Sequence, residues 1–109
     1  MPPRPRAGEP AVPAAALTVS QLAQVVKDLL ATHAPAPVRV VGQVSNFSAR
    51  THWFFSLKDE AAALRCVCFA SQARRVGFPM RDGLQVVATG RLDYFPGPGN
   101  LQLYVDRLE

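Results

Sequence analysis

Two periodicities divide the chain. Between Thr18 and His33, apolar residues return every three or four positions: Leu22, Val25, Val26, Leu29 and Leu30 follow the spacing of one helical face. Thr18 with Gln21 after it makes a capping box, and Leu17 and Leu22 stand where a hydrophobic staple would. Pro35 and Pro37 stop the run. The pattern predicts an amphipathic helix over 18–33 whose single apolar stripe needs a surface to lie on. From Val38 onward the period is two. Val38, Val40, Gly42 and Val44 alternate with Arg39, Val41, Gln43 and Ser45, which predicts a strand over 38–47. Further strands are expected over 52–58, 64–70, 84–94 and 101–108, with a short helix over 71–78 ahead of Pro79. Gly42 and Gly90 interrupt their strands and mark bends or close backbone approach.

Five short strands with a brief helix between the third and fourth are the pattern of an OB-fold barrel, mainly β, preceded here by the amphipathic helix. An SH3-like barrel is the main rival, and the helix between strands three and four favours the OB order. A glycine-bent first strand suits a small barrel, whose closure requires strong curvature. Residues 1–16 hold five of the ten prolines and no aromatic residue. Such a segment cannot bury enough to offset its ordering entropy, so a flexible leader is expected there and the folded domain over 17–109.

Composition adds three constraints. At 109 residues, 49% hydrophobic and 18% charged, the chain suits one folded domain. No apolar run approaches the roughly 18 residues of a membrane span, and the N-terminus lacks a secretory pattern, so a cytoplasmic setting without membrane contact is expected. Cys66 and Cys68, the only cysteines, point the same way on a strand and are expected buried and reduced rather than bridged. With His33 and His52 far apart they make no metal site, and no cofactor is expected. The net charge of +4 is unevenly spread. Arg39, Arg50, Lys58, Arg65, Arg74, Arg75 and Arg81 face only Asp59 and Glu60 in the middle of the chain, a basic block that suits an anionic partner.

The stretch Ser45–Glu60, "SNFSARTHWFFSLKDE", concentrates the candidate chemistry. Alternation puts Trp53, Phe55 and Leu57 on one face and His52, Phe54, Ser56 and Lys58 on the other. Catalysis finds little support: Asp59 and Glu60 diverge on an extended segment, His52 has no nucleophile beside it, and "GPG" in 97–99 is no phosphate loop. Single-strand binding finds more, because it needs a cationic groove for phosphates and rings under the bases. The OB groove runs over strands two and three between the loops joining one to two and four to five. Those elements carry Phe47, Arg50, His52, Phe54, Lys58 and Arg65, with Tyr94 and Phe95 on the far loop. These eight are the candidate nucleic-acid-binding residues, with Trp53 and Phe55 building the barrel.

The ordered pieces "LTVSQLAQVVKDLL", "VGQVSNF", "HWFFSLKDE", "LRCVCF", "ARRVGF" and "DGLQVVATGRLDYFPGPGNLQLYV" resemble the N-terminal domain of the large subunit of bacterial exodeoxyribonuclease VII, from Leu17 to Glu109. The resemblance implies an OB-fold that binds single-stranded DNA and feeds it to a nuclease segment further along the parent subunit. It also implies many copies of a small helical subunit, which is not expected to bind this segment. The 109 residues alone are expected to be non-catalytic. Two positions depart from the family pattern. Gln43 stands where the family is commonly acidic, and "YFPGPG" replaces a loop like "YEPRG", losing a basic residue and gaining Phe95. The alternative is an OB module for protein contact or self-association through its apolar second-strand face. Steep salt dependence marks DNA binding, and a hydrophobic contact barely responds to salt.

Overall fold

The computed structural model describes residues 15–95 and 100–109, so the expected leader lies outside the described residues over 1–14. Helix α1 spans Val19–His33. Strands β1 (Val38–Ala49), β2 (Trp53–Lys58), β3 (Ala63–Cys68), β4 (Gln85–Phe95) and β5 (Asn100–Leu108) follow, with a single turn of helix, α2 (Ala70–Ala73), between β3 and β4. The strands close into a barrel in the order β1-β2-β3-β5-β4, antiparallel throughout except where β3 pairs with β5. This is the expected OB order. The expected helix over 71–78 is shorter for a reason of spacing. Val76, Phe78 and Met80 recur every second residue, so an extended segment rather than a helix packs all three on the core.

The interior is built by alternation broken at two bulges. Val44, Phe55, Leu57, Cys66, Cys68, Val86, Ala88, Leu103, Val105 and Leu108 form the buried cluster. On β5 the inward residues step by two from Leu103 to Val105 and then by three to Leu108. The register against β4 shifts at the matching point, where Thr89 faces Arg107 and Gly90 faces Val105. On β1 the inward set runs Val40, Val44 and then Phe47, across a shift between Ser45 and Ser48 where Asn46 takes a positive φ of 53°. An extra residue in one strand flips every later side chain to the other face. The freed backbone is satisfied from the 81–84 turn: Phe47 N–H donates to Asp82 Oδ1 at 2.8 Å, and Val44 N–H to the Leu84 carbonyl at 2.8 Å.

Both strand glycines mark close approach. A Cβ on Gly42 would lie 3.2 Å from Leu57 Cβ and 3.2 Å from the Lys58 carbonyl, and one on Gly90 would overlap the Tyr104 carbonyl of β5.

Helix α1 is capped as expected. Gln21 N–H donates to Thr18 Oγ1 at 3.1 Å, and Thr18 N–H donates to Gln21 Oε1 at 2.8 Å. Its apolar stripe, however, is only half used. Ala23 is buried, and Val26 and Leu30 are partly covered where the helix meets β4, whereas Leu22, Val25 and Leu29 are 53%, 41% and 51% exposed. The expected single face is two adjacent stripes, and only the inner one has a surface. Leu17, the staple candidate, is exposed as well.

Phe55 is buried at 2% exposure and its neighbour Phe54 is 37% exposed, so the expected phase of β2 holds. Phe55→Ala should lower the unfolding free energy by about 3–5 kcal/mol. Phe54→Ala should change it by less than about 1 kcal/mol; urea denaturation compares them, and the reverse order would contradict the phase. The thiols supply a second expectation. Burial pushes Cys66 up to about 12 and Cys68 up to about 11, from 9.0 for a free thiol. The folded state therefore holds these protons more tightly than the unfolded chain. The stabilisation is complete below about pH 9 and is lost as pH rises through the folded values. At pH 8 a thiol-reactive dye should label both cysteines only after denaturant is added. Fast labelling of the folded domain would show that they are not buried.

Candidate nucleic-acid interface

The outward-pointing positions of β2, β3, β5 and β4 form two cross-strand rows, in which Ser56 and Val67 are covered by their neighbours to 8% and 7% exposure. In the first, Phe54 pairs with Val67, Val67 with Tyr104, and Tyr104 with Arg91. In the second, Ser56 pairs with Arg65, Arg65 with Gln102, and Gln102 with Asp93. Phe69, just past β3 and 43% exposed, lies over this surface and stacks on Tyr104 with ring centroids 5.9 Å apart and planes 23° apart. The Arg91 guanidinium covers the same tyrosine, its Cζ 4.9 Å from the ring centroid. Since β3 and β4 flank β5 on opposite sides, Phe69 and Arg91 reach Tyr104 from opposite edges.

The expected site residues divide. Phe54, Lys58 and Arg65 are exposed on β2 and β3, and Arg50 is exposed in the turn between β1 and β2. His52 is half-buried and structurally engaged. Its Nδ1 accepts the Ala70 N–H at 3.0 Å, which ties the β1–β2 turn to the start of α2. Its ring meets Phe69 edge-on at 5.0 Å. In the neutral ring this leaves the proton on Nε2. Phe47 is partly buried: the β1 bulge turns it toward the core, where it packs edge-on against Trp53 at 5.4 Å and tilts against Phe55 at 6.4 Å. Tyr94 is half-buried on β4 and shares its strand face with Leu92, which packs on the core, rather than with the outward Arg91 and Asp93. The side chain of Phe95 lies outside the described residues.

The charged members of the two rows are Arg65, Arg91 and Asp93, with Lys58 exposed at the end of β2. Among the described residues, Arg50, Lys58, Arg65, Arg74, Arg75 and Arg81 form no salt bridge, whereas Arg39 and Arg107 share Glu109 and Lys27 and Arg91 share Asp93. Asp59 serves the β2–β3 turn. Its Oδ1 accepts the N–H groups of Ala61 and Ala62, and these two bonds hold its carboxyl below the usual range. Gln43 donates to the Gly83 carbonyl at 3.2 Å, a bond that an ionised carboxylate could not make. No group of three or more His, Cys, Asp or Glu side chains suited to a metal occurs among the described residues. Nor, among them, is any helix long and apolar enough to cross a membrane.

The family model for an OB-fold nucleic acid binding domain matches residues 17–109. The chain belongs to that family. The exodeoxyribonuclease 7 large subunit of Campylobacter hominis is 42% identical over 90 residues, which cover 80% of this chain and 23% of that protein. The large subunit from Bordetella pertussis is 45% identical over 92 residues, 83% of this chain and 20% of that protein. This OB-fold domain thus spans about a fifth of the length of the curated relatives it matches. Among solved structures, a replication protein A heterotrimer bound to single-stranded DNA matches with a TM-score of 0.54 at 17% identity, covering 65% of this chain and 53% of that one. Asparaginyl-tRNA synthetase from Pyrococcus horikoshii matches with a TM-score of 0.51 at 21% identity, covering 66% of this chain and 19% of that one. Identities this low establish the common fold.

Phe69, Tyr104 and Arg91 complete the surface and were not among the expected site residues of this OB-fold domain. Part of the signal was available: Arg65, Val67 and Phe69 alternate on one face, as Tyr104 does opposite Leu103 and Val105. Their meeting depends on the parallel β3–β5 pairing, which no local pattern encodes.

The His52–Ala70 bond allows a check on that half of the site. His52→Ala orphans one N–H and should lower stability by about 1 kcal/mol. His52→Asn, able to accept the same N–H, should recover part of the loss in thermal unfolding. Equal stability of the alanine variant and the parent would show that the bond contributes nothing.

Proposed function

We propose that this domain binds single-stranded DNA across the outer face of β2, β3 and β5. Phe54 and Phe69 supply open rings for bases, and Arg50, Lys58 and Arg65 supply phosphate contacts. The observation that carries this is the exposure of Phe54 and Phe69 on one continuous face beside cations without salt bridges. A large ring left in water costs apolar burial, and a base stacked on it recovers that contact whatever the base identity. Duplex DNA cannot offer its bases in this way. In the large subunits of exodeoxyribonuclease 7, a domain of this kind would pass single strands to a nuclease segment elsewhere in the chain. The relatives' assignment to that enzyme supports this role. The small helical subunit would bind elsewhere, and the setting would be the cytoplasm.

The test is fluorescence anisotropy with an end-labelled oligothymidylate and a blunt duplex of equal length. A dye on the DNA is preferable to Trp53 emission, because Trp53 packs inward on Phe47. The single strand should bind tighter than the duplex. Phe54→Ala should weaken it by about 1–3 kcal/mol, the scale of one stacked base. Lys58→Ala and Arg65→Ala should each lower the salt slope by about 0.7 for a lost phosphate contact. Incubated with magnesium, the labelled strand should stay full length. Equal or tighter duplex binding would contradict the proposal. Binding that ignores salt would favour the apolar protein-contact reading.

A further inference from the structure

Resting on the single-strand reading above, we infer that the strand's path continues past β5 onto β4, where Arg91 exchanges Asp93 for a DNA phosphate. Phe54, Val67, Tyr104 and Arg91 are successive members of one cross-strand row. Neighbouring strands lie about 4.8 Å apart, so the row extends roughly 14 Å, several times the ~3.4 Å rise per nucleotide of a stacked strand. Val67 within the row is buried, so a chain laid from Phe54 crosses the rings of Phe69 and Tyr104 to reach Arg91 on the same outer face.

Arg91 is held for such an exchange. Its Nη1 lies 3.3 Å from Asp93 Oδ2, with side-chain exposures of 56% and 30%, and the contact is single-pronged and wet. Exposed ion pairs of that kind are among the weakest. The guanidinium carries five N–H donors, most of them outside this contact, and a phosphate can take two in parallel. Tyr104 supplies the ring over which the guanidinium lies, which limits the orientations it must give up on binding. Asp93 also faces Lys27 of α1, its Oδ1 3.9 Å from Nζ. One carboxylate therefore restrains two cations that would otherwise meet the DNA backbone. Asp93 is in this sense a positioning and competing residue, and its charge sets the affinity of the β4 end of the path.

The experiment is a double-mutant cycle in the anisotropy titration, using the same oligothymidylate over a series of salt concentrations. Arg91→Ala should weaken binding several-fold at low salt and lower the salt slope by about 0.7. Asp93→Asn, which keeps the side-chain shape, should tighten binding several-fold. That gain should fall by at least half in the Arg91→Ala background, because the two effects share one contact. Arg91→Gln provides a second neutral variant should Arg91→Ala fold poorly. An equal gain from Asp93→Asn with and without Arg91 would mean diffuse charge rather than exchange, and would overturn the inference. So would Arg91 variants with wild-type affinity and slope, even while Phe54→Ala weakens binding; the single-strand reading would then stand alone. A wild-type chain that does not bind the oligonucleotide overturns both.

Discussion

The barrel depends on the contact between Gly90 and the backbone of β5. The Tyr104 carbonyl passes so close that no side chain fits between the strands. β4 pairs with β1 through Gln85–Gly90 and with β5 from Ala88 to its end, so it has to bend around this point to serve both neighbours. With Gly90 facing Val105 and Arg91 facing Tyr104, the tyrosine and the arginine come out on the exterior. The contact that closes the barrel therefore also assembles the far half of the outer aromatic surface.

A second constraint separates the rings. The extra residue in β1 sends Phe47 inward onto Trp53 and Phe55, while the uninterrupted alternation of β2 leaves Phe54 outside. Asp82 satisfies the amide that the bulge frees, so the surface turn at 81–84 takes part in deciding which aromatic faces outward. His52 acts similarly at the other end by tying the β1–β2 turn to α2 beneath Phe69.

What could be read from the sequence followed the range of the interactions. The capping box of α1, the inward cysteines and the in–out pattern of β2 are set by neighbours within a few residues, and all were legible. The fate of Phe47 was not, because a bulge at Asn46 responds to pairing with β2 and to Asp82, 35 residues along the chain. The partnership of Phe69, Tyr104 and Arg91 was hidden for the same reason, since β4, β5 and the segment just past β3 bring it together. On α1 the spacing of Leu22, Val25 and Leu29 correctly indicated a helix. Which of two adjacent apolar stripes would meet β4 depends on the docking angle, which periodicity does not contain.

The proposed nucleic-acid face reaches from Phe54 across β3 and β5. Backbone amide NMR spectra recorded as a short oligothymidylate is added test it most directly, because they report on every non-proline position at once. Shift changes are expected at Phe54, Arg65, Val67, Phe69 and Tyr104, with Val41 and Val87 on the β1–β4 side unmoved. Changes centred on that β1–β4 side or on α1, with Phe54 and Tyr104 silent, would contradict it.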